Sequence, residues 1–233
     1  MEGEQSGRND YQTQGIAYSN DNGRNWTPYE GNPVLNNPGI RDFRDPKVIW
    51  YEPKNTWIMT FAAGDHVRFY SSPNLIDWTL ESEFGKGIGA HGGVWECPDL
   101  FPMEVNGDEK WVLLVSINPG GPNGGSATQY FIGDFDGTTF QNDNPDNMIL
   151  WLDYGRDNYA GVTWSDVPED DGRRIFMGWM SNWSYATAVP TENWRSAMTI
   201  ARTLELATTD DGLRLVSLPV EEMNAIRGTR TQL

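Results

Sequence analysis

Apolar and polar residues alternate in short runs along almost the whole chain, as in "KVIWYE", "TWIMTFAAG", "VRFYSS", "KWVLLVSI" and "RRIFMGWM". A period of two is typical of β-strands that bury one face. Clusters rich in Gly, Asn, Asp and Pro separate these runs, among them "SNDNGRN", "VNGDE" and "PEDDGR", and they supply the backbone conformations that hairpin turns require. The pattern therefore predicts an all-β fold, with "VEEMNAIRG" near the end as the one helical candidate.

The predicted strands recur in a similar order at a period of roughly 50 residues, which is typical of the four-stranded blades of a β-propeller. Three aligned pairs lie 51, 54 and 60 residues apart: Asp45 with Glu96, Trp57 with Trp111, and Tyr70 with Tyr130. A looser copy runs from "AGVTWSD" to "LRLVSLP", and "AYSNDNGRNW" matches only the later half of a unit. The repeats predict about three and a half blades, so residues 1–233 are expected to form a partial propeller domain. The alternative is a β-sandwich of irregular hairpins.

The composition argues against some kinds of binding partner and favours others. The formal net charge is −16, which argues against nucleic acid and against anionic membranes, since both attract basic surfaces. The chain contains 11 Trp, whose flat rings suit stacking on the C–H faces of sugars. The first 20 residues lack a basic segment followed by an apolar one, and no apolar run reaches the length of a membrane span, so neither a signal peptide nor a membrane anchor is predicted.

Two acidic residues are candidates for catalytic roles. First strands of successive propeller blades line one channel, so Asp45 of "RDP" and Glu96 of "ECP" are expected to face a common cavity. Cleavage of a glycoside needs a proton donor for the leaving oxygen and an anion near the oxocarbenium-like transition state. Trp95 is expected to desolvate Glu96 and raise its pKa. Arg44 would favour the ionised form of Asp45, although strict alternation along the strand would point the Arg44 side chain away from Asp45. The alternative is that both acids cap turns.

The only cysteine, Cys97, cannot form an intrachain disulfide. We expect it to behave as a small buried hydrophobe, because neither histidine stands in the context of a cysteine hydrolase.

Four motifs in a fixed order resemble those of glycoside hydrolase family 32, the β-fructofuranosidases. They are "FRDPKV" (43–48), "WECPDLF" (95–101), "NYAGVTW" (158–164) and "GWMSNWSYATAVPTENWRSAMTIAR" (178–202). The resemblance extends from about Gln14 to Val220, with Ala201 where the family usually has proline. It implies a five-bladed β-propeller, and a retaining glycosidase that removes terminal fructosyl units from inulin, levan or sucrose without a metal or other cofactor.

The resemblance also implies roles for individual residues. Glu96 would be the acid/base catalyst and Asp45 the transition-state stabiliser, while Arg44 would donate hydrogen bonds to the substrate. A tryptophan of "GWMSNW", Trp183 in preference to Trp179, would form a wall of the fructosyl pocket.

One part of the family pattern has no counterpart in this sequence. The family nucleophile is an aspartate in a motif reading roughly W-M-N-D-P-N-G, whereas the nearest acids here, Asp10 and Asp21, lie in a different context. A C-terminal β-sandwich is also missing, so we expect a truncated chain that is inactive alone, derived from a secreted or periplasmic enzyme. An inverting five-bladed hydrolase of arabinofuranosides or xylosides, and a non-catalytic sugar-binding module, stay open as alternatives. Oligomeric state is not indicated.

Overall fold

The computed structural model describes residues 12–231, so Asp10 and the rest of the first eleven residues lie outside the described range. Within that range the chain forms fifteen β-strands and two short 3₁₀ helices, Glu52–Lys54 and Glu221–Ile226. The second helix is the helical candidate of the sequence. Strands β1 (Ala17–Tyr18) and β2 (Thr27–Pro28) make a small antiparallel hairpin from the segment that matched half a unit.

Sheet A is the first complete four-stranded sheet and has the order β3-β4-β5-β6. Its strands are β3 (Phe43–Tyr51), β4 (Thr56–Ala63), β5 (Val67–Ser72) and β6 (Thr79–Phe84). The short helix that joins β3 to β4 ends at Asn55, which has a left-handed φ of 49°. Asparagine tolerates that conformation better than most residues, so the sequence fixes the position of this turn.

Sheet B follows with the order β7-β8-β9-β10, and β11 pairs with β9. Its strands are β7 (Val94–Val105), β8 (Asp108–Asn118), β9 (Ala127–Phe135), β10 (Phe140–Asn142) and β11 (Leu150–Trp151). The "VNGDE" segment forms the predicted tight turn between β7 and β8, where Asn106 and Gly107 both have positive φ.

Sheet C has the order β12-β13-β14-β15. Its strands are β12 (Tyr159–Thr163), β13 (Arg174–Trp179), β14 (Arg202–Thr209) and β15 (Gly212–Pro219). The alternating run "RSAMTIARTLELA" (195–207) resembles one continuous strand, but only its part from Arg202 onward belongs to β14. Its first part touches β13 only through an isolated bridge between Trp179 and Met198. Residues 180–201 instead connect β13 to β14 as an irregular segment.

The three sheets pack face to face through apolar side chains. Ile58 and Phe69 of sheet A meet Trp95 of sheet B in one cluster, and Val112 of sheet B meets Phe176 of sheet C in another. Each such buried side chain contributes about 2 kcal/mol to folding. The first strands β3 and β12 both contact β7, so the three first strands lie together at the axis. This arrangement confirms an incomplete β-propeller and is not a two-layer sandwich.

The strand pairing corrects part of the repeat alignment. The register of β3 with β4 shifts after the pair Arg44–Ala62, and that of β7 with β8 shifts after the pair Glu96–Ser116. Ala62 lies five residues after Trp57 and Ser116 lies five residues after Trp111, so the match between the two tryptophans is confirmed. In this alignment Trp57 pairs with Ser72 and Trp111 pairs with Gly133. The same pairing matches Tyr70 with Phe131, one residue after Tyr130. A shift of one residue matters because it moves a side chain to the other face of the sheet.

Candidate active site

A β-bulge interrupts the first strand of each of sheets A, B and C near the same end. The register slips between Arg44 and Lys47 in β3, between Glu96 and Asp99 in β7, and between Tyr159 and Val162 in β12. Each bulge contains a non-glycine residue at positive φ: Asp45 (62°), Cys97 (47°) and Ala160 (52°). Bulges of this kind bend a strand and re-aim its side chains, and they are frequent beside active sites.

The residue before each bulge points toward the axis, and these three residues are called the axial trio: Arg44, Glu96 and Tyr159. Arg44 Nη2 donates a hydrogen bond of 2.8 Å to Glu96 Oε1, and the Tyr159 hydroxyl donates to Glu96 Oε2. The spacings along the chain are 52 and 63 residues. The structural counterpart of Glu96 in sheet A is therefore Arg44, so the predicted match with Asp45 was off by one residue.

Asp45 nevertheless lies beside Glu96 at the same end of the axis. Its Oδ2 atom accepts hydrogen bonds from the Cys97 backbone N–H at 3.0 Å and from Cys97 Sγ at 3.6 Å, and it lies 4.0 Å from Arg44 Nε. One guanidinium thus contacts both predicted catalytic carboxylates. The expectation that Arg44 points away was wrong, because the bulge breaks the alternation on which that expectation rested.

The protonation of the groups around the carboxylates follows from their surroundings. Burial and the hydrogen bond to Glu96 raise the pKa of the Tyr159 hydroxyl, so this group stays protonated and donates. Burial and the negative charge of Asp45 raise the pKa of the Cys97 thiol to about 12. Burial acts to lower the pKa of Arg44, but its hydrogen bonds to Asp42 and Glu96 outweigh that effect and raise it.

Trp95 does not have its expected position against Glu96. Its indole is fully buried in the core between sheets A and B, and its Nε1 donates to the Ala90 carbonyl at 2.9 Å. Successive residues of a strand point to opposite faces, so Trp95 packs the core while Glu96 faces the axis. Its role is structural.

Two tryptophans extend the site outward from the axial trio. The ring of Trp179 lies 6.4 Å from that of Tyr159, and the ring of Trp183 lies 5.0 Å from that of Trp179. Trp183 is 51% exposed, whereas Trp179 is half-buried. All five predicted site residues, namely Asp45, Glu96, Arg44, Trp179 and Trp183, are therefore brought to one end of the axis.

Tyr159 and Cys97 belong to the site but were not assigned to it from the sequence. Tyr159 lies in "NYAGVTW", yet the two residues after it are Ala-Gly, without the proline that marks "RDP" and "ECP". Tyr159 is identified only when the three first strands are aligned by their bulges, which the structure shows and the sequence does not. Cys97 was expected to be only a buried hydrophobe, although its position after Glu96 matches that of Asp45 after Arg44.

A second polar layer lies below the site along the axis. Asp99 of β7 is fully buried and accepts a hydrogen bond from the Thr163 backbone N–H. Lys47 Nζ lies 3.5 Å from Asp99 Oδ1 and donates to the Thr163 carbonyl at 2.7 Å. One ion pair thus links first strands of sheets A, B and C directly beneath the bulges.

Across residues 12–231, no group of three or more His, Cys, Asp or Glu side chains is placed so that it could hold a metal ion. A search of the same residues for a helix long and apolar enough to span a membrane also found none.

The comparison with known families agrees with this geometry. The family model described as "Glycosyl hydrolases family 32 N-terminal domain" matches residues 2–219, which is most of the chain. The chain belongs to glycosyl hydrolase family 32. Among curated family 32 relatives, the levanase of Bacillus subtilis is 58% identical over 225 residues, which cover 95% of this chain and 33% of the levanase. An extracellular exo-inulinase of Aspergillus niger is 42% identical over 240 residues, covering 95% of this chain and 44% of the inulinase.

Solved structures of family 32 show the same fold. An exo-inulinase from Aspergillus awamori superposes with a TM-score of 0.86 at 40% identity, over 93% of this chain and 45% of that protein. A fructofuranosidase from Schwanniomyces occidentalis complexed with fructose gives a TM-score of 0.81 at 40% identity, over 91% of this chain and 42% of that protein. The present sheets are accordingly part of a five-bladed β-propeller. The chain spans a third to less than half of the length of these relatives.

Proposed function

We propose that this chain forms the catalytic propeller portion of a secreted glycosidase that releases terminal β-D-fructofuranosyl units from fructans or sucrose. The observation that carries the proposal is the placement of Asp45 and Glu96 against the single guanidinium of Arg44. The relatives named levanase and extracellular exo-inulinase support the substrate class and the secretion. The family match argues against an arabinofuranosidase or xylosidase.

In this proposal Glu96 is the acid/base catalyst. Its carboxyl group protonates the glycosidic oxygen as the bond to the anomeric carbon breaks, and its carboxylate then removes a proton from the incoming water. Both of its oxygens are held in the free protein, Oε1 by Arg44 and Oε2 by Tyr159. These two partners orient the group, which favours proton transfer along one direction.

Asp45 acts as the transition-state stabiliser. Its carboxylate is fixed by the Cys97 N–H and thiol, and its remaining acceptor capacity is available to the hydroxyls of the fructosyl ring. Arg44 supplies further donors to those hydroxyls. Trp183 and Trp179 offer ring faces to the C–H face of the sugar, so these two residues bind substrate without taking part in proton transfer.

A retaining mechanism requires a second reactive carboxylate that forms the covalent fructosyl intermediate. Asp42 also lies beside Arg44, but its carboxylate forms an ion pair with that guanidinium, with Oδ1 2.6 Å from Nη1. Because no W-M-N-D-P-N-G motif occurs in the sequence, we assign the nucleophile to a residue outside this chain. We therefore expect the isolated 233-residue chain to release fructose far more slowly than a protein that contains such a motif.

A chimera tests this function. This chain replaces the 225 aligned residues of the Bacillus subtilis levanase, and fructose release from levan, inulin and sucrose is measured. Glu96→Gln keeps the size of the side chain but cannot donate a carboxyl proton, so we expect kcat to fall about a thousandfold. Asp45→Asn is expected to give a loss of similar size.

The matched control is Asp134→Asn, the same substitution at an exposed carboxylate on sheet B, which should leave kcat unchanged. If the Glu96→Gln chimera kept full activity, the acid/base assignment would be wrong. NMR detection of the fructose anomer released first distinguishes retention from inversion.

A further inference from the structure

The side chain of Asn182, between the two tryptophans of the pocket wall, is fully buried. Its Nδ2 donates to three backbone carbonyls, those of Gly124 at 3.2 Å, Ser126 at 3.2 Å and Arg156 at 2.7 Å. Its Oδ1 accepts from the backbone N–H groups of Ser184 at 2.9 Å and Ser126 at 3.4 Å. A carboxamide has only two N–H donors and two acceptor lone pairs, so one N–H is shared between two of the carbonyls and every donor and acceptor of the group is used.

Asn182 thereby joins three segments that leave the sheets at the end where Glu96 lies. They are the glycine-rich loop before β9, the segment before β12, and the segment after β13 that carries Trp183. Glu96 lies near the start of β7 and Tyr159 starts β12, so these connections border the axial trio. A single buried amide thus sets the relative positions of all three.

The backbone of Trp183 is held from both sides by this group of contacts. Its own N–H donates to Ser126 Oγ at 3.1 Å, and the N–H of the next residue, Ser184, donates to Asn182. The half-exposed Trp183 ring then packs on Trp179. Because one side of the ring faces solvent, packing alone does not fix the ring. Its position also depends on the hydrogen bond from the Trp183 backbone N–H to the glycine-rich loop.

Gly125 shows how closely the loop approaches the amide. It has a φ of +70°, and an added Cβ would lie 2.0 Å from Asn182 Oδ1 and 2.2 Å from Ser184 Oγ. Only glycine permits both that conformation and that approach. The loop, with the sequence "NPGGPNGGS", is fitted to Asn182.

We propose that Asn182 is a positioning residue that fixes the Trp183 ring at the mouth of the site and thereby sets the affinity for a fructoside. This inference rests on the proposed function, because it takes Trp183 as a wall of the sugar pocket. Three of the five hydrogen bonds are donated by Nδ2, so aspartate cannot replace asparagine here. It would lose these donors and place a carboxylate against carbonyl oxygens.

The test uses the 233-residue chain labelled with 5-fluorotryptophan. Trp183→Phe assigns the ¹⁹F resonance of the ring, and fluorescence or calorimetric titration with a three-unit levan-derived oligosaccharide measures binding. Asn182→Asp is expected to shift the Trp183 resonance and to increase the exposure of the Trp183 ring to a soluble quencher. The affinity for the oligosaccharide should fall about tenfold. Asn20→Asp, the same substitution at an exposed position, serves as the matched control and should change neither signal.

Ser126→Ala keeps the proposal testable if Asn182→Asp does not fold, because it removes only the acceptor of the Trp183 N–H. A smaller shift of the Trp183 resonance with a matching loss of affinity is expected. An unchanged Trp183 resonance and unchanged affinity in a folded Asn182→Asp or Ser126→Ala protein would overturn the proposal. If the wild-type site bound no fructoside even in the levanase chimera, the proposed function would instead be refuted, and the Trp183 resonance would then decide the placement of the ring separately.

Discussion

Individual residues at the site have properties that depend on their neighbours more than on their type. Glu96 is oriented by a guanidinium from one sheet and a phenol from another. Asp45 is oriented by the backbone and the thiol of the residue after Glu96. Each of these side chains is therefore placed by a contact between sheets, which explains why the residue pair alone could not decide between catalysis and turn capping.

The Cys97 thiol provides a prediction at this scale. A pKa raised to about 12 by burial and by the charge of Asp45 leaves very little thiolate at pH 8. We expect Cys97 in the native chain to react with an aromatic disulfide reagent about fiftyfold more slowly than in the urea-unfolded chain. Its rate should continue to rise above pH 10, because the folded thiol ionises only at higher pH.

Asp45→Asn checks the cause of that shift. It removes the negative charge beside Sγ, so the thiol pKa should fall and the reaction should become faster at pH 8. Equal rates in native and unfolded chains at pH 8 would contradict the assigned pKa direction. Cys97 is the only cysteine in the sequence, so the signal has one source.

The bulges are the elements that the sequence did not reveal. Alternation of apolar and polar residues located most strands correctly, because each strand buries one face. A bulge adds a residue without changing composition, so the repeat matched Asp45 to Glu96 when the structure matches Arg44 to Glu96. The repeat was visible; its exact register was not.

The third bulge yields a prediction about stability. Ala160 has a φ of 52°, a conformation that costs an alanine about 1 kcal/mol. Ala160→Gly relieves that strain but makes the unfolded chain more flexible, so the free energy of unfolding should rise by a net of about 0.5 kcal/mol.

Ala207→Gly is the matched control for that experiment. Ala207 is also half-buried but lies in the regular strand β14, paired with Arg214. Glycine should destabilise the protein there by about 1 kcal/mol. Urea titrations of both variants give the two free energies, and a loss of stability at both positions would count against strain at Ala160.

At the scale of the whole molecule, polar contacts along the axis supplement the apolar packing between sheets. Lys47, Asp99 and Thr163 each come from a different sheet and contact one another below the bulges. The apolar clusters bring neighbouring sheets together, whereas this layer fixes how far one first strand slides past the next. That register decides whether the axial trio meets.

Lys47→Met should therefore be strongly destabilising. It leaves the carboxylate of Asp99 buried without its cation, which costs about 3 kcal/mol. The double variant Lys47→Met with Asp99→Asn should recover much of that loss, because the amide oxygen can still accept from Thr163 without a charge. Chemical unfolding of the two single variants and the double variant completes the cycle, and additive effects would show that the pair does not interact.

The whole fold could be predicted better than the site. Ordered motifs and a period near 50 residues sufficed for an incomplete propeller, since both are properties of the linear chain. The motifs also pointed to Arg44, Asp45, Glu96 and the two tryptophans. Tyr159 and the buried amide of Asn182 depend on contacts across 63 and 56 residues, for which no local pattern exists.

Each of sheets A, B and C places one side chain at the axis through a bulge in its own first strand, and the three side chains then contact one another. A guanidinium, a carboxyl group and a phenol occupy equivalent places, which shows that the backbone tolerates groups of very different chemistry there. A single codon change at one of these places would change the group at the axis and would also remove a hydrogen-bond partner from a neighbouring sheet. Deletion of one residue within a bulge would instead turn the adjacent side chain toward the axis and remove the group that now lies there.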